Sequence, residues 1–520
     1  MLKISGPITL IAVGVACFSA TLTVAAESNA PRIEPQHPAP SPNQFSANDY
    51  MADGLRVAQL TDDSSPLDDL FESDDEETPS STDELFGNDD EAHEPDSTDE
   101  LFGIAESSPS SNDSSPFGNL SGFWQNELAY AYQNPEHYSK WKNHLQLSWT
   151  GSMTENIDWK VSGRLIYDPV FEIDNFYSDK VEDDQKLDGY FLENYLDVAL
   201  GNWELRLGRQ YIVWGEAVGL FFADVVSGLD LREFVLPEFE LIRLPQWAAR
   251  AEYFEGDFYG EVVWIPVVTT DNIGEFGAEF YPIVPNSVPP GVNLRVLDEN
   301  VPRDPASEFG FGARGSYLKN GWDTSLFYYT SPDRGAAFER QITSTPIPTV
   351  TFRPIHKRIH QFGGTVAKDL DNMLLKAEAV YTKDRLASVS RLSDIDGLIE
   401  TDELRYLVSA DWALAQHRAN LQFFQTWFVD HDRDMTPDEI ESGFSVLLTT
   451  EALHRDITPE ILWIRSLDRD EWLVQAKVDW RFSQNWRFTL GADVFGGPPE
   501  GLLGQYDAKD RVYYELRYSF

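Results

Sequence analysis

From about Leu120 to Phe520, apolar and polar positions alternate in runs of about ten residues, the period of a strand with one apolar and one polar face. Trp159, Val161, Gly163, Leu165 and Tyr167 interleave with Lys160, Ser162 and Arg164. Trp141, Leu145, Leu147 and Trp149 interleave with Lys142, His144, Gln146 and Ser148. Later runs repeat the pattern: Leu404, Tyr406, Val408, Ala410 and Trp412 against Arg405, Ser409 and Asp411, then Trp472, Val474, Ala476, Val478 and Trp480 against Gln475, Lys477 and Asp479. The pattern predicts an all-β chain of about eighteen strands, with sixteen as the alternative count.

Alternation alone also suits a soluble sandwich, so the surroundings of the apolar face decide. Trp and Tyr gather at strand ends, as in the aromatic girdles of membrane barrels. Connections alternate in length. Tight turns are predicted at Gly201-Asn202, Glu255-Gly256-Asp257, Asn320-Gly321 and Ser483-Gln484-Asn485, and long polar loops near 169–188, 267–306, 331–352 and 384–401. The polar faces carry both signs of charge, which suits a wet lumen and would be costly in a dry core. Together these predict a transmembrane antiparallel β-barrel over 117–520 with both ends periplasmic, lying in the outer membrane of a Gram-negative bacterium among bilayer lipid and lipopolysaccharide. The closing run Arg511 to Phe520 alternates to an aromatic end and resembles the signal by which the barrel assembly machinery recognises its clients.

The first 116 residues read differently. Lys3, the apolar run Ile8 to Val15 and Val24-Ala25-Ala26 before Glu27 have the form of a signal peptide over 1–26. Residues 27–116 are rich in Pro, Ser, Asp and Glu and too poor in apolar residues to offset the entropy of folding, which predicts a disordered periplasmic segment. Between Thr61 and Asp113 stand twenty Asp and Glu and no Lys or Arg. Ser81 to Gly87 repeats as Ser97 to Gly103, so Leu85-Phe86 and Leu101-Phe102 are candidate docking pairs for a periplasmic partner. A solvated spacer is the alternative. The chain's formal charge of −47 argues against nucleic acid as a partner. Its one cysteine, Cys17, lies in the predicted signal peptide, leaving the mature chain no disulfide and no thiol chemistry.

The stretch Leu207-Gly208-Arg209-Gln210-Tyr211-Ile212-Val213-Trp214-Gly215-Glu216, the motif Asp230 to Phe234, and the closing Leu490 to Gly497 with Gly504-Gln505-Tyr506 resemble a proteobacterial outer-membrane family catalogued as domain of unknown function 1302. The resemblance covers roughly Leu120 to Phe520. It implies a porin-like barrel similar in architecture to alginate-export barrels, without fixing a substrate, and keeps an export role open.

Candidate chemistry is sparse. Simple alternation would place Arg209 toward lipid, so a bulge at Gly208 is expected to turn it inward. There Arg209 and Glu216 would line a constriction beneath an infolded loop from Glu216 to Pro245, or serve only to pin that loop. Alternation puts Arg164, Arg206, Arg250, Glu252, Arg405 and Asp411 in the lumen wall as further pore candidates. Asp430, Asp432, Asp434, Asp438 and Glu441 fall at positions 1, 3, 5, 9 and 12 of an EF-hand-like calcium loop, but Met435 occupies the position that needs Gly. Structural calcium is the one cofactor this pattern offers, against an ordinary acidic loop. His356 with His360, and His144 with Ser148, lack the flanking motifs of a hydrolase, so no enzyme is expected. The sequence points to a porin-like channel for a hydrophilic or amphipathic solute, with a non-conducting scaffold or exporter-associated barrel as the alternative.

Overall fold

A computed structural model describes residues 118–520 apart from 174, 216, 218–222, 283–290, 345–346, 371 and 453–455. The signal peptide, the acidic segment with Leu85, Phe86, Leu101 and Phe102, and the candidate Glu216 lie outside the described residues. Eighteen strands form one closed antiparallel sheet. In chain order they are β1 (Asn119–Ala131), β2 (His137–Thr154), β3 (Ile157–Tyr167), β4 (Leu187–Leu200), β5 (Trp203–Gln210), β6 (Gln246–Glu255), β7 (Phe258–Ile265), β8 (Gly310–Lys319) and β9 (Trp322–Pro332). There follow β10 (Arg358–Leu370), β11 (Met373–Ser388), β12 (Leu398–Leu414), β13 (His417–Phe428), β14 (Ile440–Thr450), β15 (Ile457–Ser466), β16 (Trp472–Arg481), β17 (Trp486–Gly496) and β18 (Arg511–Ser519).

Each strand pairs with its neighbours in sequence, and β1 closes the ring by pairing with β18 from Phe123↔Ser519 to Ala131↔Arg511. Gly122 and Phe520 seal that seam through two backbone hydrogen bonds of 2.9 and 3.0 Å. Closure leaves no unpaired strand edge, the condition for crossing hydrocarbon without water.

The two faces are inverted relative to a soluble sheet. Leu326, Phe191, Leu120 and Leu421 are exposed on the outside, whereas Glu127, Lys140, Arg164, Lys376, Glu378 and Asp493 are buried inside. Exposed Trp203, Trp322 and Trp480 stand at the short-turn end and Trp141, Trp247, Trp264 and Trp427 at the long-loop end, forming two girdles around an apolar band. Among the described residues no helix is long and apolar enough to cross a membrane; the chain crosses with strands.

Tight turns occupy one end where the sequence places them. Asn320 and Gly321 both take positive φ, 54° and 68°, as a two-residue hairpin turn between twisted strands requires. Long connections occupy the other end, including 168–186, 211–245, 266–309, 333–357 and 497–510. Outside the barrel, Asn293–Val296, Thr349–Ile355 and Ala337–Thr343 build a separate three-stranded sheet, absent from the sequence-based reading. The long-loop end is also clasped by Glu279, which meets His137 Nε2 at 3.0 Å, accepts from the Tyr177 hydroxyl at 2.8 Å, and pairs with Lys509 at 3.1 Å.

Candidate functional site: an inward loop across the lumen

The segment 211–245 joins β5 to β6 and turns into the barrel. Its apolar residues decide its first leg. Ile212, Trp214, Ala223, Val225 and Val226 are buried against Val263 and Ile265 of β7, Phe327 and Tyr329 of β9, and Val380 of β11. Trp214 donates its indole N–H to Glu261 at 3.0 Å and lies 5.2 Å, centroid to centroid, from Phe327. The ring fits because position 312 is glycine: a Cβ there would lie 2.6 Å from Trp214. Ser227 ties the leg to itself, its hydroxyl donating to the Ile212 carbonyl at 3.0 Å while accepting from the Ile212 amide at 3.1 Å. Gly228–Leu229 then pair antiparallel with Arg243–Leu244, so the segment forms a strap that goes out and returns.

The far part of the strap is held by charge. Glu233 takes Lys142 at 2.6 Å, Lys140 at 3.0 Å and Arg511 at 3.0 Å. Glu238 accepts from Arg487 Nη2 on both oxygens, at 2.8 and 2.9 Å, with Arg517 at 3.7 Å and Lys477 at 4.0 Å. Glu240 pairs with Arg517 at 3.2 Å. These cations come from one arc of the wall, β2 and β16 to β18. Leu236 of the strap packs with Leu473, Phe495, Phe280 and Tyr506, fastening it to the same arc through apolar surface. Burial disfavours both carboxylates, but the surrounding Lys and Arg outweigh it: Lys140, Lys142 and Arg511 hold Glu233 well below the usual carboxylate range, and Arg487, Lys477 and Arg517 hold Glu238 at about 2. A void of ≈ 30 Å³ remains beside Glu233, lined by Lys142, His144, Arg164 and Arg232 among others.

The residues singled out from sequence are distributed around this strap. Arg164 is buried on β3, donating to Gln146 at 3.0 and 2.7 Å and to the strap carbonyl of Leu241 at 3.0 Å. Arg206, Arg250 and Glu252 meet on adjacent strands: Arg206 pairs with Asp197, Arg250 with Glu252 and with Glu261 at 3.2 Å. Arg405 and Asp411 belong to the opposite wall on β12, Arg405 bridging to Glu403 at 2.8 Å and Asp411 facing Arg418 at 3.5 Å.

For Arg209 the expected bulge is absent. Pairing runs unbroken through Asn194↔Arg209, Tyr195↔Gly208 and Arg209↔Trp247. Gly208 instead takes φ 138°, and a Cβ there would lie 2.2 Å from the Asn194 carbonyl oxygen. The close approach of β4 therefore explains this glycine without an inserted residue. The register sets Arg209 beside Trp247, which is half exposed on the outer face.

The EF-hand spacing does not bring its carboxylates together. Arg391 takes Asp432 and Asp434, while Arg469 takes Asp438 and Glu441, at 3.4 and 3.0 Å for the latter two. Among the described residues no group of three or more such side chains is gathered as a metal site would be. Two guanidiniums occupy the positions a cation would neutralise, and the loop lacks the turn that Gly supplies. The histidines are likewise apart: His356 sits in the 333–357 connection on Glu299 at 2.6 Å, and His360 lies on β10 against Tyr328 at 2.9 Å.

Sequence reasoning missed Glu233, Glu238 and Glu240 as the strap's anchors. Their signal was available only in part: acids at 230, 233, 238 and 240 in a segment already expected to fold inward.

A closed sheet with an apolar outer band, two aromatic girdles and a charged interior defines an outer-membrane β-barrel. Residues 118–520 match the family described as "Protein of unknown function (DUF1302)", and the chain belongs to that family. Comparison with curated protein sequences gives no match. Among solved structures the chain is similar to OccAB1 of Acinetobacter baumannii, at 10% identity and TM-score 0.49 over 78% of this chain and 96% of that one. It is also similar to OccK8 (OprE) of Pseudomonas aeruginosa, at 10% identity and TM-score 0.45 over 79% and 99%. A third is Salmonella typhi OmpF, solved in complex with daunomycin, at 10% identity and TM-score 0.41 over 77% and 97%.

Proposed function

We propose that the barrel is a channel for a hydrophilic or amphipathic solute, narrowed by the strap, with the acidic segment as a periplasmic tether. The observation that carries this reading is the wall of β3 to β7. There Lys160 and Glu193, Arg206 and Asp197, and Arg250 with Glu252 present paired charges on the inner face, apart from the strap's carboxylate anchors on β2 and β16 to β18, while Glu261 and Arg164 of the same wall hold the strap through Trp214 and the Leu241 carbonyl. An eighteen-stranded barrel is wide enough that its own side chains do not fill it, and a transverse array of both signs suits water and polar solutes. The Leu-Phe repeats would dock a periplasmic exporter component, and the terminal strand would be read by the assembly machinery.

One observation favours a second reading. Leu236, Phe280, Leu473, Phe495 and Tyr506 tie the strap and an outer loop to the wall through apolar surface, as a closed scaffold would. Single-channel conductance of the refolded chain in a planar bilayer decides between them. Steady open steps support the channel; a folded but silent barrel supports the scaffold, with the acidic tether as its working part.

A further inference from the structure

The connection from β7 to β8 is gripped at two places by buried histidines from other parts of the chain. Its first arm, 266–282, leaves β7 and meets the strap on its way to the far rim: the Leu231 amide donates to the Asn272 carbonyl at 2.7 Å, and the Asn272 amide to the Leu229 carbonyl at 2.8 Å. At that rim Phe280 is buried with Phe495 of β17 and with Tyr506, whose hydroxyl donates to the Phe280 carbonyl at 3.0 Å. Glu279 beside it reaches His137, the first residue of β2, at 3.0 Å. The second arm, 291–309, is held by His356, just before β10, through Glu299 at 2.6 Å.

Each ring faces two acceptors. His137 sets Nδ1 2.8 Å from the Pro135 carbonyl and Nε2 3.0 Å from the Glu279 carboxylate. His356 sets Nδ1 2.6 Å from the Asp333 carbonyl and Nε2 2.6 Å from Glu299. A neutral imidazole has one N–H and a lone pair on its other nitrogen, so one of the two contacts would be repulsive; the imidazolium donates at both. Both rings are buried, and bulk water does not replace a lost donor there. The other charges around His137 are Lys509, which pairs with Glu279 at 3.1 Å, and Glu136 and Asp510, which are turned to Tyr130 and Tyr132. The Tyr177 hydroxyl donates to Glu279, and the Phe176 ring stacks on His137 at 3.7 Å. Around His356, Asp333 is held by Arg385 at 3.0 Å, Lys357 by Glu400 at 2.6 Å, and Arg358 donates to the Ser307 and Phe309 carbonyls.

We infer that 266–282 is a lid over the long-loop mouth, and that His137 and His356 are proton-dependent latches of the connection that carries it. Protonated, the two rings hold both arms. As pH rises each ring gives its proton to solvent, Glu279 and Glu299 lose a donor, and the arms detach, the first of them uncovering Leu229 to Leu231 of the strap. The sign follows from linkage. Burial disfavours the charge on His356, but Glu299 and the Asp333 carbonyl outweigh it and raise the ring above its ordinary 6.5. A group raised in the folded state stabilises fully below its unfolded value and loses that contribution as pH rises through the folded one. A part in solute passage rests on the channel reading; the latching does not.

The test is amide exchange of the full chain refolded in lipid bilayers, read by mass spectrometry from about pH 6 to about pH 9 and corrected for the intrinsic dependence of exchange on pH. Wild type is compared with His137→Gln, His356→Gln and the double variant, each checked for the folded barrel by heat-modifiable migration. Protection of 266–282 and 291–309 in wild type is expected to fall by about tenfold or more across this range, while the barrel strands keep theirs. His137→Gln should leave 266–282 weakly protected at every pH and keep the step in 291–309; His356→Gln should do the converse. A flat wild-type profile overturns the inference, as does a step that survives in the double variant. If His137→Gln does not fold, His356→Gln and Glu299→Gln carry the comparison for the second arm. Conductance is recorded separately at both ends of the range. A silent barrel whose arms still detach defeats the channel reading and leaves the latches standing, and a conducting barrel with flat protection does the reverse.

Discussion

Glu238 and Arg487 lie 249 positions apart in the chain and meet in the lumen, the guanidinium Nη2 reaching both carboxylate oxygens at 2.8 and 2.9 Å. One residue belongs to the strap and the other to β17, so this pair ties a connecting segment to the wall on the far side of the sequence. Replacing Arg487 by Ala leaves Glu238 buried with only its more distant cations, at a cost of about 1–3 kcal/mol. Amide exchange in 228–245 should then quicken by about 10- to 100-fold, while the barrel strands keep their protection. Exchange that stays at the wild-type rate would show that the apolar contacts of Leu236 hold the strap alone.

Gly312 is expected to tolerate no larger residue. Its Cβ position lies 2.6 Å from Trp214 and 2.9 Å from Tyr329, and both rings are packed into the cluster that fixes the strap's first leg. Gly312→Val should destabilise the native barrel by about 1–3 kcal/mol through overpacking, read as a lower temperature of heat-modified migration. Trp214→Ala in the same background should recover part of the loss. A Gly312→Val barrel as stable as wild type would refute the packing described for Trp214.

The external clasp around Glu279 should loosen with acid. Burial disfavours its charge, but the hydrogen bond from His137, the charge of Lys509 and the Tyr177 hydroxyl hold its carboxyl at about 2, against an ordinary value of 4.5. A carboxyl depressed in the folded state stabilises above its unfolded value and loses that contribution as pH falls through the folded value. The loss therefore runs from about pH 4.5 down to about pH 2 and amounts to something on the order of 3 kcal/mol for the clasped arrangement. Limited acid proteolysis of 168–186 and 266–309 should rise across that window in wild type. Glu279→Gln should cleave readily at every pH in it. A flat wild-type profile would count against the clasp.

Calcium should leave the thermal midpoint unmoved. Asp432 and Asp434 are engaged by Arg391, Asp438 and Glu441 by Arg469, so a divalent ion would have to displace two guanidiniums. A calcium-dependent rise that disappears in Asp432→Ala would reinstate the EF-hand spacing as a ligand set.

Strand alternation made most of the barrel legible. Leu145, Leu147 and Trp149 face out and His144 and Ser148 face in because side chains alternate at a fixed period, and a tight turn such as Asn320-Gly321 is a local event. The local signal failed where a contact is made across the lumen. Nothing near Glu238 specifies Arg487, and nothing near Glu233 specifies Lys142 or Arg511, so the anchors were invisible although alternation set Lys142 and Lys477 on polar strand faces. At Gly208 the opposite error arose. A glycine in a strand was read as a bulge, when its cause is the backbone of Asn194 on the neighbouring strand, a non-local fact. The Asp430 to Glu441 spacing is likewise silent about non-local partners: two arginines outside the run or distant in sequence, Arg391 and Arg469, pair with Asp432, Asp434, Asp438 and Glu441.

The pairing of β1 with β18 sets the timing of assembly. Gln125 reaches Glu515, 390 positions onward, so the ring's last ladder is also its longest-range one, and the entropy of bringing its two sides together must be met before any of its hydrogen bonds form. Until then the growing sheet carries two open edges, each a template for a neighbouring chain. The strand-forming region is therefore open to premature pairing for as long as its two ends stay apart. A variant that weakens this seam should reveal itself as material lost before insertion, not as a leaky barrel.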